Sequence, residues 1–168
     1  FFQMVFVATA MSVVSGAVAE RKKLWSFLIF AAIFSSVIYP LEGAWTWGGG
    51  FLSELGFFDF AGSGIVHMAG ASAALAAVII IGPRDGKYDK NGKPKNISGS
   101  NMPLVALGTL ILWLGWFFFN GGSQLAFSTV ADADALGKIF VNTNMAAAGG
   151  LLGAMIVSKL WTKKVILN

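Results

Sequence analysis

Five long apolar blocks, separated by short charged clusters, dominate this chain of 168 residues. Each block is long enough for an α-helix to cross the ~30 Å hydrocarbon layer of a bilayer at ~1.5 Å per residue. Hydrophobic residues make up 56% of the chain, charged residues make up 12%, and the mean hydropathy of +0.71 is high for a soluble domain. The sequence therefore predicts an all-α, polytopic membrane protein whose spanning helices cover about residues 1–19, 24–39, 59–81, 102–119 and 138–161.

Particular residues indicate where these helices begin and end. Pro40 should end the second helix, because proline lacks a backbone N–H and its ring clashes with the preceding turn. Asp59 should open the third helix as a cap, since a carboxylate accepts backbone N–H groups at the positive end of the helix dipole. Direct ligand binding by Asp59 is the alternative. As a cap, Asp59 would fix the first turn, from Phe60 to Gly62.

The basic residues predict the orientation of the chain. With five crossings, one set of loops and ends contains every one of the 12 basic residues except Lys138. Lys and Arg favour the cytoplasmic side, so the chain should start outside the cell and end in the cytoplasm. The outer loops are acidic and aromatic, with Glu42, Trp45, Trp47, Glu54, Asp132 and Asp134. The predicted cytoplasmic set is Arg21, Lys22, Lys23, Arg84, Lys87, Lys90, Lys93, Lys95, Lys159, Lys163 and Lys164.

Composition also excludes several classes of protein. The chain has no cysteine, so it can form neither a disulfide framework nor a thiolate metal site. Its net charge of +4 is confined to short clusters between apolar blocks, which argues against a nucleic-acid partner. We predict no metal site and no cofactor. The chain opens inside an apolar block, so residues 1–168 are expected to be a single, partial membrane domain.

His67, the only histidine, lies inside the third apolar block. Counted along a helix from Asp59, it would lie about 12 Å into the membrane. Ionisable residues at such a depth are costly and usually mark a conduction path or a proton relay. The alternative is a structural histidine that hydrogen-bonds to a neighbouring helix. Small residues around His67, such as Gly64 and Gly70, predict close packing of the helices.

Five sequence runs closely resemble those of the ammonium transporter family, in the Amt/Mep branch of the Amt–Mep–Rh superfamily. They occur in the family's order and cover nearly the whole chain. The most specific is Asp59 to His67, which places an aspartate and a histidine at a fixed spacing in an apolar segment. The other four are Phe2-Gln-Met-Val-Phe6, Gly16-Ala-Val-Ala-Glu-Arg21, Trp47-Gly-Gly-Gly50 and Gly115-Trp-Phe-Phe-Phe-Asn-Gly-Gly-Ser123.

The resemblance implies an eleven-helix fold with two inverted halves, assembled as a homotrimer, in which this chain supplies the third to seventh helices. It also implies roles for individual residues. The external ammonium site would be formed by Phe2, Phe6, Trp47, Ala61 and Ser123. The gate of the pore would be formed by Phe6 and Phe119, and His67 would act as the relay. Structural support would come from Asp59, Gly62 and Asn120. The partner of His67, the family's second pore histidine, belongs to a later helix.

The function implied is ammonium transport for nitrogen uptake across the inner or plasma membrane, with methylammonium as an analogue. Ammonium would bind at the outer aromatic site and lose a proton, and ammonia would cross an apolar pore lined by the histidine relay. Such a protein is not an enzyme. A PII signal protein is a possible partner at the cytoplasmic face. The alternatives are an ammonium-sensing receptor of the same family and an Rh-like ammonia channel, although the Rh branch generally lacks the tryptophan found here at position 47.

Overall fold

A computed structural model describes residues 1–162, which are mostly helical and form no named strand. Lys163 and Lys164, two of the predicted cytoplasmic cations, lie outside the described residues. Two π-helical segments interrupt the α-helices, and we call them π1 and π2. The elements are α1 (Phe2–Ala17), α2 (Leu24–Ile33), π1 (Phe34–Ile38), α3 (Tyr39–Thr46), α4 (Phe51–Glu54), π2 (Ser63–Met68), α5 (Ala69–Ile81), α6 (Met102–Gly122) and α7 (Val130–Thr162).

Among the described residues, four helical segments are long and apolar enough to cross a membrane. They are Leu24–Glu54, Ser63–Ile81, Met102–Gly122 and Val130–Trp161. The helix α1 is also apolar but shorter, at 16 residues or about 24 Å. An all-α, multi-pass membrane protein is thereby confirmed as the class of fold.

The described chain divides into two compact units, which meet in sequence at Ile97 and Ser98. In the first unit, α1 packs along π2 and α5. Gly70 of α5 lies so close to α1 that an added Cβ would come within 2.7 Å of the Ala10 carbonyl oxygen. In the second unit, α6 packs on α7, and a Cβ at Gly121 would come within 2.5 Å of the Phe140 ring.

The prediction that Pro40 ends the second helix is wrong. The helical path continues from α2 through π1 into α3 and ends at Thr46. Pro40 lies at the start of α3, directly after the π-helical turn. The wider turn rearranges the backbone hydrogen bonds there, so the helix tolerates both the missing N–H of proline and its ring. The C-terminal end of this helix therefore reaches almost to Trp47.

The third and fifth helices also begin at different residues from those predicted. The third starts at Ser63 rather than Asp59, because Gly62 adopts a left-handed conformation with φ +104° and turns the chain before the helix. Counted from Ser63, His67 is only about 6 Å along the helix rather than 12 Å. The fifth starts at Val130 rather than 138, where Thr129 and Asp132 hydrogen-bond to each other across the first turn.

The polar segment between α5 and α6 contains a short hairpin. Tyr88 and Pro94 form an isolated β-bridge, and the Asp89 carboxylate accepts the N–H groups of Asn91 and Lys93, both at 2.8 Å. Next to the hairpin, Arg84 pairs with Glu20 at the end of α1. The Arg84–Glu20 pair joins the segment after α1 to the segment after α5, on the side predicted to be cytoplasmic.

Candidate functional site

Three aromatic side chains from two segments of the first unit lie against one another. On α1, the ring centroids of Phe2 and Phe6 are 4.6 Å apart, as expected for residues one helical turn apart. Trp47, just after α3, lies 6.0 Å from Phe6 with the two rings at 77°, an edge-to-face arrangement. Phe6 is buried, whereas Phe2 is 39% exposed. We call these three residues the outer cluster.

Asp59 organises the chain immediately before π2. Its Oδ1 accepts the N–H groups of Gly62 at 2.7 Å and Ser63 at 3.0 Å. Its Oδ2 accepts those of Gly64 at 2.8 Å and Ile65 at 2.9 Å. The carboxylate is 8% exposed, so these four bonds satisfy both oxygens in a site with little access to water. Asp59 therefore caps the first turn of π2 from a position ahead of the helix.

Trp47 joins the outer cluster to this turn. Its indole N–H donates to the Asp59 backbone carbonyl at 2.8 Å. The ring also lies over Gly62, where an added Cβ would be 3.4 Å from the indole and only 2.4 Å from Val66. Only glycine fits at position 62, because the backbone there is left-handed and a Cβ would clash with Val66. Ala61, the remaining residue of the predicted site in this unit, is half-buried in the same turn.

His67 lies in π2, directly downstream of the residues that Asp59 binds. Its backbone N–H donates to the Gly62 carbonyl at 3.0 Å, and its side chain is half-buried. A single π-helical turn is often found at functional sites, because it changes the direction of the side chains around it. The Asp59 turn thus sets the starting point, and the rotation, of the helical segment that carries His67.

The remaining predicted residues lie together at the end of α6 in the second unit. The Ser123 hydroxyl donates to the Phe119 carbonyl at 2.9 Å. The Asn120 side-chain amide donates to the Thr143 hydroxyl of α7, also at 2.9 Å. The structure therefore brings Ser123, Phe119 and Asn120 into one local arrangement. The predicted gate joins Phe6 of one unit to Phe119 of the other and stays a prediction.

Sequence reasoning missed two residues of these arrangements. Thr143 is a polar side chain in an apolar helix and is only 7% exposed, a signal that could have marked it as a hydrogen-bond partner. Val66 packs over Gly62, and nothing in its sequence context distinguishes it from other apolar residues. Within residues 1–162, no group of three or more His, Cys, Asp or Glu side chains is placed to hold a metal ion.

Comparison with known proteins decides the family. The model of the Ammonium Transporter Family matches residues 1–168. The chain belongs to the ammonium transporter family. This family consists of transporters rather than enzymes, which agrees with the prediction made from the sequence.

Individual relatives agree with this assignment. Ammonium transporter Amt2 of Archaeoglobus fulgidus is 48% identical, over 95% of this chain and 36% of that protein. Ammonium transporter Amt1 of Methanocaldococcus jannaschii is 41% identical, over 93% of this chain and 39% of that protein. The ammonium transporter of Bacillus subtilis is 38% identical, over 97% of this chain and 37% of that protein. The chain therefore spans little more than a third of the length of these relatives.

Proposed function

We propose that this chain forms part of a transporter that takes up ammonium across the inner or plasma membrane. The observation that carries the proposal is the outer cluster, held by the Trp47 hydrogen bond to the turn that Asp59 caps. Aromatic faces attract a small cation by roughly 0.5–2 kcal/mol per ring, which suits ammonium at the entrance of a pore. The names and identities of the relatives support the same substrate.

Ser123 would supply what aromatic rings lack, a directional acceptor. Its hydroxyl hydrogen is already donated to Phe119, so its oxygen lone pairs are the groups left to bind a ligand. Ammonium carries N–H donors and potassium does not, so an acceptor of this kind favours ammonium between two ions of similar size. In this proposal, Phe2, Phe6, Trp47, Ala61 and Ser123 bind the ion, with Asp59, Gly62 and Asn120 as support.

Transport would then proceed by loss of a proton. Charge is expensive in a narrow apolar pore, whereas neutral ammonia crosses it readily. We place deprotonation near the outer cluster, followed by passage of ammonia beyond a gate of Phe6 and Phe119. His67 would carry the proton separately, because an imidazole can both accept and donate a hydrogen bond. Its relay partner would be a histidine from another part of the full-length protein.

Replacement of Trp47 tests this function. In the full-length protein reconstituted on a solid-supported membrane, ammonium should give a saturable current that Trp47→Leu changes in two ways. The apparent affinity for methylammonium should shift, and discrimination against potassium should weaken, because one aromatic wall and its link to Asp59 are lost. Trp45→Leu is the matched control, since Trp45 is exposed and contacts the Phe51 ring instead. Wild-type affinity and selectivity in Trp47→Leu would remove this residue from the site.

The assembly of the full-length protein is part of the proposal. We propose a homotrimer with one pore per subunit, and a PII signal protein that docks on the cytoplasmic face. The exposed lysines of the hairpin near Tyr88 offer a basic surface there. Nucleotide-dependent capture of the matching PII protein from native membranes would support docking. A lack of capture under every ATP, ADP and 2-oxoglutarate condition would count against it.

A further inference from the structure

Three polar side chains lie along one side of α3. They are Tyr39, Glu42 and Thr46, and their spacing of three and four residues places them in a row along the helix. Tyr39 is 5% exposed and Thr46 is 7% exposed. Glu42 is half-buried, with its Oε2 atom inaccessible to solvent. We call these three residues the polar row.

The polar row lacks the hydrogen bonds that buried polar groups normally make. Within residues 1–162, the Tyr39 Oη, Glu42 Oε2 and Thr46 Oγ1 atoms have no hydrogen-bond partner. The one salt bridge among the described residues joins Arg84 to Glu20, so Glu42 has no ion-pair partner there either. Buried polar atoms are nearly always paired, and an exception calls for an explanation. Inside a membrane helix, an ionisable residue is by default a candidate for function.

The polar row lies next to the predicted ammonium site. Thr46 directly precedes Trp47, so its hydroxyl is the member of the row nearest to the outer cluster. Tyr39 and Glu42 lie within electrostatic reach of the Asp59 carboxylate. The row therefore leads from the outer cluster along the side of α3 that faces the Asp59 turn.

Glu42 also lies at the depth of His67. The Trp47 ring lies over Gly62, and from this contact α3 and π2 lead back side by side. Glu42 and His67 are each five residues from the contact, which corresponds to about 7 Å along their helices. Two groups that can exchange protons are thus present at one level, on two neighbouring elements.

We propose that Glu42 accepts the proton that ammonium loses at the outer cluster, with the Thr46 hydroxyl as intermediary. The inference rests on the proposed function and adds a proton-accepting residue to it. One N–H bond of ammonium breaks, and its electron pair stays on nitrogen, which leaves neutral ammonia. The Thr46 oxygen takes this proton while its own hydroxyl proton forms an O–H bond with Glu42. Transfer onward to His67 restores the carboxylate.

Glu42 suits this role better than Asp59 does. Backbone N–H groups use all four acceptor positions of Asp59, so a proton there would have to displace hydrogen bonds that hold π2. Glu42 has a buried oxygen without a partner, and a proton on it removes a charge that is expensive in apolar surroundings.

The first test is Glu42→Gln in the full-length protein, since glutamine keeps the size of the side chain but cannot take up a proton. The maximal ammonium current should fall by at least about tenfold, while the apparent affinity for methylammonium stays within about twofold because the outer cluster is intact. Glu42→Asp keeps a carboxylate and should recover part of the current. Glu54→Gln removes an exposed carboxylate from α4 and is the matched control, with the wild-type current.

Infrared difference spectroscopy follows the proton itself. Addition of ammonium should produce a carboxylic-acid C=O band in the wild type and in Glu54→Gln, and none in Glu42→Gln. A wild-type maximal current in Glu42→Gln, or the same band in that variant, would overturn the proposal. So would a lowered unfolding temperature in Glu42→Gln without a band in the wild type, because Glu42 would then be pairing with another helix of the full-length protein. Absence of any ammonium current in the wild type would instead reject the proposed function, and this inference with it.

Discussion

At the residue scale, Asp59 offers four acceptor positions, and four backbone N–H groups use them. These four hydrogen bonds account for an aspartate at position 59 without direct binding of ammonium by its carboxylate. Hydrogen bonds to a charged group are worth roughly 1.5–3 kcal/mol each, so the carboxylate contributes several kcal/mol to holding the start of π2. The cost of a substitution should therefore follow the number of acceptors that it removes.

Asp59→Asn and Asp59→Ala should differ in degree. Asparagine keeps one oxygen, which can accept two of the four N–H groups, but its amide hydrogens oppose the other two. The unfolding temperature in detergent and the ammonium current should fall in the order wild type, Asn, Ala. Asp85→Asn, the same change in an exposed loop, is the control and should keep the wild-type value. Complete and equal loss of current in both Asp59 variants, with the proposed trimer intact and the unfolding temperature unchanged, would favour a direct electrostatic role.

His67 makes a second prediction at this scale. If its imidazole carries the proton between the two ends of the pore, His67→Ala should abolish the ammonium current while the protein elutes in size-exclusion chromatography at the same volume as the wild type. His67→Glu keeps a group that can exchange protons, and it should conduct with poorer selectivity against potassium. A wild-type current and selectivity in His67→Ala would leave His67 as a structural residue that hydrogen-bonds within the bundle.

At the scale of elements, α1 and α5 of the first unit pack backbone to backbone at Gly70. A methyl group at Gly70 would meet the Ala10 carbonyl oxygen at 2.7 Å and Val13 at 3.1 Å, so the two helices would have to separate. This matters for the site because Phe6 lies on α1, whereas His67 lies in π2, directly before α5. The packing of two backbones thus sets the distance between the outer cluster and the predicted relay.

Gly70→Ala should lower both the unfolding temperature and the ammonium current, since overpacking typically costs about 1–3 kcal/mol. Gly16→Ala is the matched control, because a Cβ at Gly16 meets nothing within 4 Å and alanine is a better helix former by roughly 0.5–1 kcal/mol. It should leave the unfolding temperature unchanged or raise it. A Gly70→Ala protein as stable and active as the Gly16→Ala protein would show that the two helices can move apart freely.

At the scale of the whole molecule, the charge distribution predicts which ends of the helices face the cytoplasm. Residues 1–168 contain no cysteine, so once any cysteine elsewhere in the full-length protein is replaced, single cysteines can report on each side. Ser53→Cys, in the short outer helix α4, should react with a membrane-impermeant maleimide in intact cells. Lys90→Cys, in the exposed hairpin, should react only after permeabilisation. The reverse pattern would invert the predicted topology.

The sequence alone determined the apolar character and approximate places of the membrane helices, and it carried the motifs of the family. These properties are local, because a run of apolar residues or a short motif can be recognised without knowing its neighbours in space. The sequence also marked Asp59 as a cap, since a carboxylate just before an apolar helix can accept the free backbone N–H groups of the first turn.

How these parts meet became visible only in the folded chain. The helix passes through Pro40 because a π-helical turn precedes it, and π2 begins at Ser63 because Gly62 adopts a left-handed conformation under Val66 and Trp47. The bond from Trp47 to the Asp59 carbonyl likewise joins two segments separated by a loop. Such features depend on which backbone groups remain free after distant segments have packed, and that information is not present in any single stretch of the chain.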